Sequence, residues 1–109
     1  MKVVFVTGCA VGIAHTYMAA EAMEKAAKKL DIDVAIETQG SVGIEDEASP
    51  ESIREADFII IASDVGIEQP ERFEGKIIYH GIPADAIKHP KKLYEEAIEF
   101  YKEQVSSKE

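Results

Sequence analysis

The chain contains one cysteine, Cys9, in a short glycine-bearing segment that runs from Thr7 to Thr16. An apolar run precedes this segment, and a helical pattern begins at about Thr16. A turn between a strand and a helix presents backbone N–H groups to an anion, and the positive end of the helix stabilises a thiolate. We therefore predict that Cys9 is a reactive thiolate in an anion-binding turn, rather than a small buried apolar residue.

The residues that follow Cys9 are predicted to surround an anion held at its sulfur, because their backbone amides can wrap around it. The candidate phosphate-binding residues are Ala10, Val11, Gly12, Ile13, Ala14, His15 and Thr16. Two of these positions also have ordinary explanations. His15 could equally be a surface residue at the start of a helix, and Thr16 could equally be a plain N-cap.

The spacing of this segment matches the loop of cysteine phosphatases, Cys-x5-Arg-Ser/Thr, but the arginine is absent. His15 occupies its position, and the two arginines of the chain are Arg54 and Arg72. Phosphatase chemistry of this kind needs the guanidinium fork to hold the transferring phosphoryl group. The segment therefore favours a carrier that keeps a phosphoryl group on Cys9 over an enzyme that hydrolyses it.

Strand and helix patterns alternate along the chain. Apolar and β-branched runs predict four strands, at Lys2–Thr7, Val34–Thr38, Phe58–Ala62 and Lys76–Tyr79. Apolar spacing and an N-cap at Ser49 predict helices at about Thr16–Leu30, Pro50–Ala56 and Pro90–Gln104. The segment from Ser63 to Gly75 is predicted to be a loop or a broken helix, and Gly81–Pro83 a turn.

This alternation predicts an α/β fold, with an open four-stranded parallel sheet in the order 2-1-3-4 and helices on both faces. The loops after the first three strands then meet at one edge of the sheet, where such folds bind their ligands. The loop after the second strand, with Gln39, Gly40 and Ser41, is a possible second contact to the anion. Residues 1–104 are predicted to form a single domain, and residues 105–109 a frayed tail.

Composition argues against several classes of function. The formal net charge of −9 and the pI of about 4.8 argue against nucleic-acid binding, which needs clusters of Lys and Arg. One cysteine makes no internal disulfide, and three histidines without shared spacing make no metal site. No cofactor is expected. No stretch approaches the ~20 apolar residues that span a bilayer, so we expect a cytoplasmic protein without direct membrane insertion.

Two segments resemble the fructose-type IIB component of the phosphoenolpyruvate-dependent sugar phosphotransferase system. They are Cys9–Thr16, with Met18–Ala22 after it, and Glu37–Gly43; Gly75 and Lys76 also fit. The resemblance covers about residues 2 to 90. It implies that Cys9 accepts a phosphoryl group from a phosphohistidine on the IIA component. Cys9 would then pass this group to a sugar, expected to be fructose, that is bound by the membrane component IIC. The protein would be associated with the inner face of the membrane through IIC.

The loop departs from the family at Ala10 and Val11, where the usual sequence has Pro and Thr. Valine lacks the hydroxyl that could bond a phosphoryl oxygen, and alanine frees one backbone N–H. Cys9, Gly12 and the His-Thr pair that ends the motif are retained. Two alternatives remain open at this point. One is a cysteine phosphatase or an arsenate-reductase-like enzyme, and the other is a regulatory binding module that kept the IIB-like fold.

Overall fold

The computed structural model describes residues 1–8, 13–40, 43–63 and 66–107. These residues contain five strands: β1 (Lys2–Gly8), β2 (Asp33–Gly40), β3 (Gly43–Glu45), β4 (Phe58–Ser63) and β5 (Ile78–Gly81). They also contain four α-helices: α1 (Ile13–Leu30), α2 (Pro50–Glu55), α3 (Pro83–Lys88) and α4 (Pro90–Ser107). A 3-10 turn at Pro70–Phe73 lies between β4 and β5.

The strands form one sheet in the order β3-β2-β1-β4-β5. The four strands β2, β1, β4 and β5 are parallel, which confirms the predicted open parallel sheet and its order 2-1-3-4. The short strand β3 is an addition. It runs antiparallel to β2 at the outer edge, with Gly40 opposite Gly43, in a segment that we predicted to be a polar loop.

Helices cover both faces of the sheet, as predicted, because β1 and β4 are apolar on both faces. On one face α1 and α4 pack against the sheet, and the buried residues there include Phe5, Phe58, Ile60, Met23 and Tyr94. On the other face lie α2 and the 3-10 turn, and the buried residues include Val4, Val6, Ile59, Ile53 and Phe73. The central strand β1 is thus enclosed between two apolar layers.

Several predicted ends are corrected. Helix α1 begins at Ile13 instead of about Thr16, and β2 continues through Gly40. Strand β5 begins at Ile78 instead of Lys76. The side chain of Lys76 binds the end of α2. Its Nζ donates to the carbonyl oxygens of Arg54 and Ala56 at 2.7 and 2.9 Å, where α2 ends. A lysine is well suited to those carbonyls, which have no partner within the helix.

The region after β5 also differs from the prediction. Pro83, predicted to end a turn, occupies the first turn of α3, a position where proline is tolerated because its N–H would be unpaired anyway. Six residues are too few for apolar periodicity to reveal a helix. Helix α4 continues to Ser107, so residues 105–107 of the predicted frayed tail are helical. Within the described residues, no helix is both long and apolar enough to cross a bilayer.

Tyr94 joins α4 to α1 in the core. Its side chain is fully buried, and its hydroxyl donates a 2.9 Å hydrogen bond to the carbonyl oxygen of Met23. A buried tyrosine usually needs a partner for its hydroxyl, since an unpaired one costs free energy. This contact fixes how α4 lies against the helix that begins after Cys9.

We predict that Tyr94→Phe lowers the free energy of unfolding by about 1 kcal/mol, because it removes this one buried hydrogen bond and keeps the ring. Urea unfolding followed by circular dichroism measures the change. Tyr101→Phe is the matched control, since the ring of Tyr101 stacks on Phe58 at 5.2 Å and the residue is only partly buried. An equal loss in both variants would contradict the role given to the Tyr94 hydroxyl.

Candidate functional site

The carboxyl ends of three parallel strands lie side by side at one edge of the sheet. Gly8, the last residue of β1, pairs with Gln39 of β2 on one side and with Ser63 of β4 on the other. The carboxyl ends of these strands are therefore adjacent, as the predicted strand order requires, while the residues directly after them lie outside the described residues. Cys9 directly follows Gly8 in the chain, between the end of β1 and the start of α1.

The predicted site residues are described to different extents. Cys9, Ala10, Val11, Gly12 and Ser41 lie outside the described residues. The backbone of Ile13, Ala14 and His15 lies in the first turn of α1, and Thr16 is buried there, with 2% of its surface exposed. Gly40 ends β2. Because α1 begins four residues after Cys9, the positive end of its dipole lies at this edge of the sheet.

Gly8 allows the close approach of its two neighbouring strands. A Cβ atom at this position would lie 3.1 Å from Ser63 Oγ and 3.4 Å from the carbonyl oxygen of Gln39. The first of these distances is shorter than an ordinary van der Waals contact, so the Ser63 hydroxyl would have to shift slightly to admit a side chain here. Gly8 therefore lies in close contact with both neighbouring strand ends.

Thr7 is a polar residue in the core beside this edge. It is fully buried, and its Oγ1 has no hydrogen-bond partner in the part of the chain that the structure describes. It pairs with Thr38 on β2 and Ala62 on β4, and so shares their face of the sheet, the face that α1 covers. A buried hydroxyl without a partner costs free energy. Thr7 is therefore a polar position in an otherwise apolar layer, one residue before the end of β1.

A buried carboxylate lies three residues before the end of β2. Glu37 is fully buried, and Arg72 binds it with both guanidinium nitrogens, Nη1 to Oε1 at 2.8 Å and Nη2 to Oε2 at 3.0 Å. The backbone N–H of Ala48 donates to Oε1 at 2.9 Å, and Gln39 Nε2 donates to Oε2 at 2.7 Å. Both carboxylate oxygens are thus fully used by protein donors.

Gln39 and Arg72 extend this arrangement to the segment after β4. Gln39 Oε1 accepts a 2.7 Å hydrogen bond from the backbone N–H of Glu68, and Arg72 Nε donates to the carbonyl oxygen of Gln69 at 3.0 Å. We call Glu37, Gln39 and Arg72 the Glu37 cluster. The amide of Gln39, a predicted anion contact, is therefore engaged with protein groups on both of its ends.

Sequence reasoning missed the Glu37 cluster, apart from Gln39. A signal was present, because Glu37 lies inside a predicted strand directly after three apolar residues. An acidic side chain that is buried in such a strand needs a cationic partner. Burial opposes the ionisation of Glu37. The hydrogen bonds from Arg72, Gln39 and Ala48 together outweigh that effect, so the pKa of Glu37 lies below its ordinary value of 4.5. The carboxylate therefore stays ionised at neutral pH.

Known proteins share both the sequence and the fold of this chain. The family model described as "PTS system, Lactose/Cellobiose specific IIB subunit" matches residues 4–96. The "PTS system fructose-like EIIB component 2" of Escherichia coli K12 is 49% identical over 87 residues, which are 80% of this chain and 82% of that protein. The chain belongs to the IIB family of the phosphoenolpyruvate-dependent sugar phosphotransferase system. The family resemblance of the Cys9 and Glu37–Gly43 segments is thereby confirmed.

The comparison of structures agrees. The solution structure of the enzyme IIB subunit from Escherichia coli K12 superimposes with a TM-score of 0.84 at 39% identity, over 98% of this chain and 95% of that one. IIB domains also occur in longer chains. The "PTS system fructose-specific EIIABC component" of Bacillus subtilis is 40% identical over 97 residues, which are 89% of this chain and 15% of that protein.

We predict that acid weakens the native protein partly through Glu37. Because the pKa of Glu37 is lower in the folded state, its contribution is complete above about pH 5 and is lost as pH falls through the folded pKa. The unfolding free energy of the wild type should therefore fall more steeply towards pH 3 than that of Glu37→Gln. At neutral pH Glu37→Gln should lose ~2–4 kcal/mol, because Arg72 is left without its counter-charge.

Urea unfolding at several pH values measures both effects. Glu55→Gln is the control, because Glu55 forms a 3.7 Å pair with Lys2 in which both side chains are more than half exposed. That substitution should change stability by less than about 1 kcal/mol. If wild type and Glu37→Gln lose stability in parallel on acidification, the pKa of Glu37 is not lowered by folding.

We also predict that Gly8→Ala costs about 1–3 kcal/mol of unfolding free energy, since its methyl group would crowd Ser63 Oγ. Ser63→Ala removes that oxygen. The loss of unfolding free energy in the double variant should therefore be smaller, by at least ~0.5 kcal/mol, than the sum of the losses in the two single variants. The double-mutant cycle is measured by urea unfolding. Strict additivity of the two substitutions would show that the two positions do not crowd each other.

Proposed function

We propose that this IIB protein is a phosphoryl carrier that uses Cys9. It accepts a phosphoryl group from a phosphohistidine of the IIA component and transfers it to a sugar bound by the membrane component IIC. The observation that carries the proposal is the position of Gly8. Cys9 follows it at an edge where three strand ends meet, four residues before a helix whose N-terminal turn favours a thiolate and a phosphoryl dianion.

In the first step, the Cys9 thiolate attacks the phosphorus of the phosphoimidazole. An S–P bond forms as the P–N bond breaks, and the imidazole nitrogen leaves with the bonding electron pair. In the second step, a sugar hydroxyl oxygen attacks the same phosphorus and releases the thiolate, while the hydroxyl proton passes to a base at the sugar site. Positioning and charge stabilisation provide most of the catalysis in such transfers. Ala10 to Thr16 would supply the amides.

The pairing of Arg72 supports a carrier over a phosphatase. A cysteine phosphatase would need a guanidinium free to hold the transferring group. Arg72 directs its Nη1 and Nη2 to Glu37 and its Nε to Gln69, so its fork is already occupied. Arg54, the other arginine, lies in the last turn of α2, distant in sequence from the Cys9 loop. A phosphoryl group on Cys9 would therefore persist until an acceptor arrives.

The partners and the sugar are inferred from relatives. The name of the Bacillus subtilis protein joins A, B and C components in one chain, which supports a IIA donor and a IIC acceptor complex for this IIB protein. The names of the relatives also support fructose, or a similar sugar, as the acceptor. The protein would then act in the cytoplasm, held at the inner face of the membrane by IIC.

We predict that Cys9→Ser abolishes phosphoryl transfer and leaves the fold intact, because the change replaces sulfur by a much less nucleophilic hydroxyl of similar size. The protein is incubated with phosphoenolpyruvate, the general carrier proteins and a IIA partner, and the phosphorylated residue is mapped by mass spectrometry. Label should appear on Cys9 and move to sugar only when membranes that contain IIC are added.

Two other results would overturn the proposal. Rapid hydrolysis of phenyl phosphate without any partner would indicate a cysteine phosphatase. A folded wild type that never takes up label from a phosphorylated IIA protein would indicate a regulatory binding module. Circular dichroism of Cys9→Ser serves as the control, since a loss of label in an unfolded variant would not identify the nucleophile.

A further inference from the structure

Glu37 joins three segments that are separate in sequence. It belongs to β2, it accepts a hydrogen bond from Ala48 in the segment before α2, and it binds Arg72 in the 3-10 turn after β4. All four polar contacts to its two oxygens are between 2.7 and 3.0 Å. A fully buried carboxylate with four short contacts thus holds these three segments together.

Gln39 connects this carboxylate to the strand end beside Cys9. Its amide nitrogen donates to Glu37 and its amide oxygen accepts from the backbone of Glu68, so the side chain is held at both ends. Gln39 is also the β2 partner of Gly8. A Cβ at Gly8 would lie 3.7 Å from Gln39 Cβ, which places the glutamine in van der Waals range of the residue before the nucleophile.

We propose that the Glu37 cluster is a positioning device for the Cys9 site: it ties the end of β2, beside Gly8, to the segment that follows β4 and thereby sets the reactivity of Cys9. None of its three side chains is assigned a contact with the phosphoryl group. The inference rests on the proposed function only in taking Cys9 as the reacting residue.

Two features favour positioning over stability alone. A buried ion pair is often replaced by apolar side chains of similar size without loss of stability, because desolvation offsets the attraction between the charges. The directional hydrogen bonds between Arg72 and Glu37, in contrast, hold these two side chains in one relative geometry. The contacts of the cluster also lie towards the carboxyl end of β2, which is the edge where Cys9 follows β1.

The chain offers a direct test, because Cys9 is its only cysteine and alkylation by iodoacetamide therefore reports on that residue alone. The rate of alkylation is measured against pH for the wild type, Gln39→Leu, Arg72→Lys and the double variant Glu37→Leu/Arg72→Met. The double variant removes both charges together and so avoids leaving one buried and unpaired. Melting temperature and circular dichroism identify the folded variants.

We expect folded cluster variants to react at least threefold more slowly at neutral pH and to reach half of their plateau rate at higher pH. The reason is that less ordered strand ends hold the amides around the thiolate less well. Arg72→Lys keeps the charge but loses the bidentate contact, so an intermediate shift is expected. The controls are Tyr94→Phe, which is destabilised on the other face of the sheet, and Glu55→Gln; both should keep the wild-type profile.

The outcomes separate this inference from the proposed function. A wild-type alkylation profile in any folded cluster variant overturns the positioning role, even if Cys9 is phosphorylated by IIA. A shifted profile in a protein that IIA never phosphorylates supports the positioning role and removes the proposed function. An equal shift in Tyr94→Phe would show that general destabilisation, and not the cluster, alters the reactivity of Cys9.

Discussion

The pairing of β1 on both of its edges is the constraint on which the site depends. β1 is hydrogen-bonded to β2 and to β4 over most of its length, and its side chains are buried on both faces. A strand held in this way cannot shift by one residue, because every buried side chain would move to the opposite face. The position of Gly8, the residue before Cys9 in the chain, follows from this register.

The cost of burying Glu37 explains why so many groups converge on it. A carboxylate without water needs a counter-charge and donors for its remaining lone pairs. Arg72, Gln39 and Ala48 supply them, and each comes from the end of a strand or from a loop. The same requirement that keeps this charge in the core thus connects the segments that surround the functional edge.

Local patterns in the chain predicted most of the framework. The unbroken apolar runs of β1 and β4 revealed strands buried on both faces, and Ser49 with Pro50 revealed the start of α2, where Ser49 Oγ accepts from the N–H of Ser52 as an N-cap. The patterns failed where a tertiary contact decides the outcome. Lys76 was predicted to begin the fourth parallel strand because it precedes an apolar run, yet its ammonium group is bound at the end of α2. The edge strand β3 is three residues long, too short for any periodic signal.

The sequence alone determined the order of the four parallel strands and of α1, α2 and α4, and the place of Cys9 between β1 and α1. These properties follow from residue types and their spacing within short segments, and they do not depend on contacts with residues that are distant in the chain. Only the tertiary structure decided that Glu37 would meet Arg72, 35 residues away, and that the amide of Gln39 would bind Glu37 and the backbone of Glu68. Side-chain partners across such separations are set by how the sheet and loops pack, and no local pattern carries that information.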